Sequence, residues 1–446
     1  MRWHVDVRVG DAEHELAVGD GEQVLRLPID TGGVPGSLKH NAWDVIRRHQ
    51  LPDPAPAAVD LFRMAAAVYA ADLRTSRGAD PHSDGWTRHF VLHLPVSDPA
   101  LWEAARDTLT QLLRFLTGDV WEATFLQAPF SAPVARNYRK TFPPLDATAA
   151  CLLSGGLDSF IGAADALHSG ERLYLVSAGS QGSAAHSTGA QHRTVNALRQ
   201  QYGDDNLRHL EFRVSPPRKL FRHHVEDTQR SRSIIFLSLG VFASAALGGN
   251  LPLIVPENGF ITLNVPLAPS RLGSLSTRTT HPETIRLFRQ LLNELGINVE
   301  LRLPFQFMTK GEMLDRAGDR DWVIATAPVT VSCAHPTADR WLGIGLGKPN
   351  CGYCLPCLIR RASLARVGAD DSTQYRENPL TKELSRKKMR DLRAIQFAAE
   401  RDPEAAGVAD VLQSGPLPAD EDQVRMSVEV YRRGLRELAA FLNPGR

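Results

Sequence analysis

The chain has 446 residues, of which 43% are hydrophobic and 23% charged, and its formal net charge at pH 7 is +1. A chain of this length exceeds what one hydrophobic core usually supports, so two or three domains are expected. The composition excludes a disordered or fibrous protein, and the small net charge argues against a protein that is drawn to nucleic acid or to an anionic membrane by its overall charge.

The first 147 residues are predicted to form an accessory α+β domain. Residues 1–30 alternate apolar and polar side chains around glycine-rich turns, which predicts a hairpin or small meander. A helix is predicted over residues 59–73, a strand over 88–94, a helix over 98–116 and a strand over 119–125. A proline-rich run over residues 127–146 then marks the domain boundary.

From Thr148 to residue 330, short apolar strands alternate with longer helices, which predicts a parallel α/β sheet with flanking helices. The predicted strands cover residues 148–153, 172–177, 207–214, 251–256 and 299–303. The predicted helices cover residues 159–168, 188–202, 229–247, 282–295 and 310–317. A cysteine-containing segment at 331–368 and a helical C-terminal region at 369–446, with helices over 382–400 and 420–442, complete the predicted organisation.

A glycine-rich turn, Ser154-Gly155-Gly156-Leu157-Asp158-Ser159, joins the first of these strands to the first helix. A strand, a glycine turn and a helix in this order direct backbone N–H groups at a bound anion, and glycines let phosphate oxygens approach closely. Ser154 and Ser159 add hydroxyl donors, while Asp158 either helps to hold Mg²⁺ or hydrogen-bonds the loop itself. The structural alternative is a tight turn with a serine cap. A second glycine run at 343–349 fails as a Walker A loop because Pro349 replaces the required Ser or Thr.

Four of the five cysteines lie close together, as Cys333 and the run Cys351-Gly-Tyr-Cys354-Leu-Pro-Cys357. Two-residue gaps let thiolates converge on one ion, and four sulfur ligands suit a closed, structural Zn²⁺ site. Three thiolates at this spacing are also compatible with an iron–sulfur cluster. The fifth, Cys151, is predicted to pack in the core.

The expected location is the cytoplasm. Clustered cysteines indicate metal binding in a reducing compartment rather than a disulfide framework. The first nine residues alternate charged and apolar side chains and lack the apolar core of a signal peptide. The apolar run over 233–247 is too short for a confident membrane span and is interpreted as a buried helix.

Taken together, the motifs resemble those of the QueC-like 7-cyano-7-deazaguanine synthases, a family of PP-loop ATP pyrophosphatases. The resemblance covers roughly residues 148–368 and implies a PP-loop (adenine nucleotide α-hydrolase-like) fold with ATP, Mg²⁺ and Zn²⁺. Such enzymes use ATP to activate the carboxylate of 7-carboxy-7-deazaguanine, and ammonia then attacks to give a nitrile. The motifs that carry the resemblance are Ser154–Ser159, Arg232–Ser238, Thr309–Met313, Ser332-Cys333 and Cys351–Cys357.

The sequence departs from this family at the substrate segment. The expected Ser-Gly-Tyr-Pro-Asp is replaced by Pro256-Glu257-Asn258-Gly259-Phe260 and a later run, Ser274–Glu283, and residues 1–147 are additional. In these features the chain resembles the defence-associated branch of the family, typified by the QatC component of the Qat anti-phage system. That resemblance implies that the amine acceptor is the N-terminus of a partner protein. Residues 1–147 then either dock the partner or stabilise a homo-oligomer.

The resemblance also implies roles for individual cations. Arg232 and Lys310 are candidates to neutralise charge on the phosphates, although Arg232 at a helix start is also explained as a solvated charge. Thr309 and Glu312 match a helix capping box, which favours a structural role for both.

Glu257, Asn258 and Arg278 lie where the family recognises its base-like substrate, and an amide or carboxylate there can pair with a guanine-like edge. Turn formation at Asn258-Gly259 is the alternative. The histidines at 186, 192 and 223–224 have no metal-like companions and are interpreted as solvated or core residues.

Three other functions stay open at this point. A synthase that uses ammonia needs no protein acceptor. An RNA-directed sulfurtransferase needs a reactive cysteine outside the cluster, and Cys151 is the only one available. A non-catalytic, nucleotide-sensing subunit needs no turnover at all.

Overall fold

The computed structural model describes most of the chain. The described residues are 1–10, 16–30, 34, 36–79, 84–130, 132, 138, 140–179, 185–217, 226, 228, 230–248, 251–268, 278–335 and 349–443, without the side chains of 185–188. The interpretations given for His223-His224, for the side chain of His186, for residues 274–277 and for the glycine run at 343–348 therefore lie outside the described residues.

The described chain is α/β, with two sheets. Its strands are β1 (Arg2–Val9), β2 (Gln23–Ile29), β3 (Lys39–His40), β4 (His89–Val96), β5 (Val120–Gln127), β6 (Ala149–Leu152), β7 (Leu173–Gly179), β8 (Leu207–Ser215), β9 (Leu253–Ile254) and β10 (Leu301–Arg302). The four-stranded sheet has the order β2-β1-β4-β5, and the six-stranded sheet has the order β10-β9-β6-β7-β8-β3. Every pairing is parallel except that of β3 with β8.

The helices surround and separate these sheets. They are α1 (Ala42–Arg48), α2 (Pro56–Arg74), α3 (Pro99–Ala104), α4 (Arg106–Thr117), α5 (Leu157–His168), α6 (Ala185–Tyr202), α7 (Arg232–Ala246), α8 (Gly259–Leu263), α9 (Pro282–Glu294), α10 (Lys310–Arg316), α11 (Arg320–Thr326), α12 (Leu355–Arg366), α13 (Arg390–Ala399), α14 (Val408–Val411) and α15 (Glu421–Leu442). In the described part of the chain, none of them is long and apolar enough to cross a membrane.

Two predictions for the N-terminal region are wrong. The partners Trp3–Gln23 and Val9–Ile29 run in the same direction, so the predicted hairpin or meander is wrong. All three pairings in this sheet are parallel, and helices connect β2 to β4 and β4 to β5, so the α+β description of residues 1–147 is also wrong. Alternating hydrophobicity is the same in both strand orientations. In β1 the five consecutive residues from Trp3 to Val7 are buried, which is typical of a parallel strand that is covered on both faces.

The predicted elements between residues 148 and 330 are confirmed: each of the five strands and five helices is present, with shifted ends. The C-terminal region is helical as predicted, but α13 begins at Arg390, eight residues later than expected. The predicted helix over 98–116 is divided into α3 and α4 at Ala105. Its ends follow local chemistry, because the Asp98 carboxylate caps the start and Gly118 ends α4 in the left-handed conformation.

Residues on both sides of position 147 share one hydrophobic core. Phe62 of α2 and Phe242 of α7 pack with their ring centroids 5.4 Å apart, and the core continues from β1 into the larger sheet. Helix α2 presents many alanines, which lets it approach its neighbours closely. β3 extends the larger sheet itself, pairing antiparallel with the end of β8. The division of the chain into domains at residue 147 stays a prediction.

A buried network of charges also links the two parts. Arg88 Nη2 lies 2.5 Å from Asp72 Oδ1 and 2.6 Å from Asp119 Oδ2. Asp119 also pairs with Arg77 at 2.8 Å, and Asp72 Oδ2 accepts hydrogen bonds from the backbone N–H (3.2 Å) and hydroxyl (2.6 Å) of Ser231. Since Ser231 immediately precedes α7, the network fixes the start of that helix to the end of α2.

Candidate functional site

The six-stranded sheet has a topological switch point between β6 and β9. From β6 the chain continues to β7 on one side, whereas β9 and β10 lie on the other. In open parallel sheets, ligands bind in the crevice that such a reversal opens at the carboxyl ends of the strands. A small cleft, with a volume of about 10 Å³, lies at this position. It is lined by Leu152, Ser154, Ser159, Phe236, Val255, Pro256, Glu257, Thr279 and Thr280.

The glycine-rich turn forms one wall of the cleft. Gly155 has φ +82°, and a Cβ there would lie 2.9 Å from the backbone nitrogen of Gln191 at α6. A side chain at Gly155 is therefore opposed by both the backbone conformation and the close approach of α6. Gly156 caps α5 with φ −85°, a conformation open to any residue. Its added Cβ would lie 3.3 Å from Ser154 Oγ.

Hydroxyl groups hydrogen-bond the loop. The Gly156 N–H donates to Ser154 Oγ (3.2 Å) and the Leu157 N–H to Ser332 Oγ (3.0 Å). The hydroxyls of Ser154 and Ser159 lie 3.1 Å apart, and Ser159 Oγ accepts from the Ser154 N–H at 3.2 Å. These N–H groups stand at the start of α5, where the helix dipole favours an anion. A serine hydroxyl that accepts from a backbone N–H group can still donate its own proton, so these hydroxyls can hydrogen-bond a phosphate.

Three of the predicted site residues converge beside the loop. Asp158 Oδ2 accepts a hydrogen bond from Asn258 Nδ2 at 2.7 Å, and Asp158 Oδ1 lies 3.1 Å from Lys310 Nζ. All three side chains are buried. Asp158 therefore bonds to the neighbouring loop and to α10, rather than to its own loop, and both of its oxygens are engaged by protein groups.

Local chemistry explains how each partner reaches Asp158. Asn258 caps α8, because its Oδ1 accepts from the Ile261 N–H at 3.0 Å. Gly259 is the first residue of that helix, so the pair forms a helix start rather than an Asn-Gly turn. The capping box is confirmed at α10, where Thr309 Oγ1 accepts from the Glu312 N–H at 3.1 Å and Glu312 Oε2 accepts from the Thr309 N–H at 2.9 Å. The box places Lys310 at the first position of the helix. A cation is disfavoured there by the helix dipole, and the pairing with Asp158 offsets that cost.

Glu257 is the carboxylate in the lining of the cleft. Burial, and then the negative charge of Asp158, raise the pKa of Glu257 to about 7, while Lys310 acts in the opposite direction. A carboxyl group with this pKa exchanges protons near neutral pH, which is the property of a general acid or base.

Arg232 and Arg278, the two arginines predicted to belong to the site, lie in different surroundings. Arg232 is the first residue of α7 and is exposed; Phe236, one turn later on the same helix face, lines the cleft. Arg278 does not line it. The Arg278 guanidinium lies 4.5 Å from the centroid of the Phe115 ring, and its Nη1 donates to the Phe115 carbonyl at 2.9 Å. The Arg278 side chain therefore points towards α4, and the next two residues, Thr279 and Thr280, line the cleft instead.

The four clustered cysteines come together as a set that can hold a metal ion. Their sulfurs all lie within 4.8 Å of one another, and the pairs Cys351–Cys357 and Cys333–Cys354 are 3.9 Å apart. Ligands 2.3 Å from a tetrahedral Zn²⁺ would lie about 3.8 Å apart, so the spacing fits. Backbone N–H groups, including that of residue 354 to Cys351 Sγ at 3.3 Å, donate to the sulfurs and favour thiolates.

This cysteine site adjoins the glycine-rich turn. The Val331 N–H donates to the Gly155 carbonyl at 2.9 Å, and Ser332 Oγ accepts from the Leu157 N–H. The Ser332 carbonyl oxygen in turn lies 3.5 Å from Cys357 Sγ. Val331 and Ser332, which directly precede Cys333, therefore hold the glycine-rich turn in place. A change in the structure of the cysteine site should change the shape of the turn as well.

Sequence reasoning missed some residues of the site. Ser332 was recognised only as part of a motif, and its hydroxyl turns out to satisfy the start of α5. Thr279 and Thr280 were passed over for Arg278, although Thr279 Oγ1 lies 2.8 Å from Ser233 Oγ at the start of α7. They lie two and three residues before α9, whose N-cap is His281, so the capping preference for hydroxyl residues does not mark them.

Comparison with family models, with curated proteins and with solved structures finds no match to this chain. The function is therefore argued from the geometry of the cleft and from the motifs that form it.

Proposed function

We propose that the protein is a QueC-like, ATP-dependent enzyme of the PP-loop class that activates a carboxylate as its adenylate and transfers the acyl group to an amine. The observation that carries this proposal is the convergence of Asp158, Asn258 and Lys310 beside the glycine-rich turn at the switch point of a parallel sheet. The carboxylate substrate we propose is 7-carboxy-7-deazaguanine, on the resemblance of the motifs.

In the first step, a carboxylate oxygen of the substrate attacks the α-phosphorus of ATP. An O–P bond forms, the bond from the α-phosphorus to the bridging oxygen breaks, and pyrophosphate leaves. Negative charge develops on the phosphate oxygens, and preorganised donors in a partly dry cleft stabilise it. The hydroxyls of Ser154 and Ser159 supply such donors, because a hydroxyl that accepts from a backbone N–H group can still donate its own proton. Lys310 supplies the nearby positive charge.

In the second step, the nitrogen of an amine attacks the acyl carbon, a C–N bond forms, AMP leaves and the nitrogen loses a proton. Glu257 is suited to receive this proton, because a pKa of about 7 is close to the 7.7–8.0 of a terminal α-amine. A lysine side chain, with a pKa of about 10.4, would be mostly protonated and a poorer nucleophile. This favours a chain terminus as acceptor.

We propose that the acceptor is the N-terminus of a partner protein in anti-phage defence. The support is the altered substrate segment and the presence of residues 1–147, which pack on the larger sheet through α2 and β3 and enlarge the surface beside it. Ammonia needs no docking surface. Stabilisation of a homo-oligomer is the competing role for these residues.

The cysteine site is proposed to hold Zn²⁺ in a structural role. Four thiolates complete a tetrahedron and leave no position for substrate, and the site supports the loop through residues 331 and 332. When bound, the ion contributes folding energy to this segment. Asp158 is engaged by Asn258 and Lys310, so we do not assign it to Mg²⁺, which would accompany ATP through the phosphate oxygens.

The sulfurtransferase alternative is disfavoured by Cys151. This residue is fully buried in β6, and burial raises the pKa of its thiol to about 12. The thiol therefore stays protonated and out of contact with solvent, whereas sulfur transfer requires an accessible thiolate.

The test is incubation of the protein with ATP, 7-carboxy-7-deazaguanine and either ammonia or a peptide with a free N-terminus, with products identified by mass spectrometry. We expect an amide on the peptide N-terminus in the wild type, and none in Lys310→Met. Lys382→Met is the matched control, since Lys382 is an exposed lysine paired with Glu377 on the C-terminal region. A free nitrile formed from ammonia, with no peptide adduct, would refute the proposed acceptor.

A further inference from the structure

A second cavity lies apart from the cleft. It has a volume of about 620 Å³ and lies between α1, residues 140–142, α6 and the exposed side of β8. This volume falls in the range of about 300–1,000 Å³ that is typical of small-molecule sites. His209 in its wall pairs with Leu175 of β7, which pairs with Cys151 of β6. The cavity thus lies beside the middle of the strands and two strands away from β6, whereas the glycine-rich turn follows the end of β6.

The cavity wall carries an excess of positive charge. Both carboxylates are already engaged: Glu211 accepts from Arg213 Nη2 at 2.7 Å and pairs with His192 at 2.9 Å, and Asp44 accepts from the Tyr138 hydroxyl at 2.6 Å. The charged residues of the lining are four cations, Arg48, Lys140, Arg199 and Arg213, and two carboxylates, Asp44 and Glu211. Arg199 Nε is paired with Asp204 Oδ1, outside the lining, at 2.9 Å.

Two of the cations have no carboxylate within 4 Å among the described residues. The Arg48 guanidinium lies 5.9 Å and the Lys140 Nζ 5.2 Å from the centroid of the Phe142 ring. His49 stacks on the same ring, with centroids 4.7 Å apart. Cations held over an aromatic ring at an open cavity keep their donors available to a ligand.

His49 is the neutral group beside these two cations. The residue is only 7% exposed and lines the cavity, while its Nδ1 atom is fully buried and has no hydrogen-bond partner among the described residues. Burial and the charge of Arg48 lower the pKa of His49 to about 4, so at neutral pH the residue adds no charge to the cavity wall.

We propose that this cavity binds a phosphorylated small molecule of the size of a sugar phosphate. A phosphate monoester carries a charge of about −1.5 to −2 at pH 7, which matches the two cations without a carboxylate partner, Arg48 and Lys140, and arginine recognises phosphate through paired N–H donors. The cavity has far more room than one water, whose share of liquid volume is about 30 Å³, so it also accommodates the group that carries the phosphate. A single nucleic-acid strand is disfavoured because His49 already covers one face of Phe142, the aromatic ring on which a base would stack.

The test is calorimetric titration of the full-length protein with ribose 5-phosphate and with ribose. We expect ribose 5-phosphate to bind and ribose not to bind. Replacement of Arg48 and Lys140 by alanine should weaken binding by at least about tenfold, as expected for loss of charged hydrogen bonds. Lys382→Ala, on the exposed C-terminal region, is the matched control and should bind as the wild type does.

The result also separates this proposal from the proposed function. Lys310→Met should keep ribose 5-phosphate binding, and the Arg48 and Lys140 double variant should keep pyrophosphate release. Unchanged affinity in the double variant, loss of binding in Lys310→Met, or tighter binding of a single-stranded oligonucleotide than of ribose 5-phosphate would each overturn the proposal.

Discussion

The raised pKa of Glu257 can be tested without any substrate, through its effect on the free energy of unfolding. The perturbation is Glu257→Gln, which keeps the shape of the side chain and removes its titration. In the folded protein the pKa of Glu257 is about 7, against an ordinary value of 4.5, because burial and the charge of Asp158 favour the protonated form. In the unfolded chain the pKa returns to the ordinary value.

The sign of the effect on stability follows from proton linkage. Between pH 4.5 and 7 the folded protein holds a proton on Glu257 that the unfolded chain has lost, so this residue lowers the free energy of unfolding as the pH rises. Below pH 4.5 both states are protonated, and above pH 7 both are ionised and the loss is complete. At 1.36 kcal/mol per pKa unit, the loss between pH 5 and pH 8 is about 2 to 3 kcal/mol.

The assay is urea unfolding of the wild type and of Glu257→Gln at pH 5 and pH 8. Comparing the two proteins at each pH cancels the titration of all other groups. We expect the variant to gain stability relative to the wild type by about 2 to 3 kcal/mol on going from pH 5 to pH 8. An equal difference between the two proteins at both pH values would show that Glu257 titrates normally, and the reasoning about the cleft would then be wrong.

Four further predictions concern the supports of the site. In urea unfolding, Gly155→Ala should lower the free energy of unfolding by about 1–2 kcal/mol, because Gly155 has a positive φ and lies close to α6. Gly156→Ala should lower it by less. Cys333→Ser should abolish the binding of about one zinc per chain, measured by elemental analysis, and increase hydrogen exchange in the adjoining loop; stoichiometric iron in the wild type would contradict the zinc assignment. Asp119→Asn should cost about 3–5 kcal/mol in the same unfolding assay, because it removes the negative charge that the buried Arg77 and Arg88 share. Cys151→Ala should leave pyrophosphate release unchanged, and its loss would favour sulfur transfer.

The parts of the fold that depend on local pattern were predictable. The strand, glycine turn and helix around residues 149–168 are specified within twenty residues by an apolar run, glycines and helical spacing. The capping box at Thr309 is likewise a matter of neighbouring residues. The close spacing of the cysteines predicted that their sulfurs meet, and they do.

The parts that depend on long-range pairing were not predictable in the same way. β1 pairs on its other side with β4, which begins about sixty residues after β2 ends, and no local pattern in residues 1–30 indicates this pairing. The contact of Asp158 with Asn258 joins residues 100 positions apart, and it depends on β9 pairing beside β6. Arg278 was assigned by its position relative to a family motif, but the ring of Phe115, on a helix of the N-terminal region, holds its side chain elsewhere.

The central claim is that the cleft forms an adenylate, and isotope exchange between pyrophosphate and ATP tests it most directly. With 7-carboxy-7-deazaguanine present and no amine acceptor, we expect labelled pyrophosphate to enter ATP in the wild type and in Lys382→Met. Lys310→Met should reduce the exchange rate by roughly 10²–10³-fold, the usual effect of removing one electrostatic contact to a transition state. Absence of carboxylate-dependent exchange in the wild type, or an unchanged rate in Lys310→Met, would contradict the account.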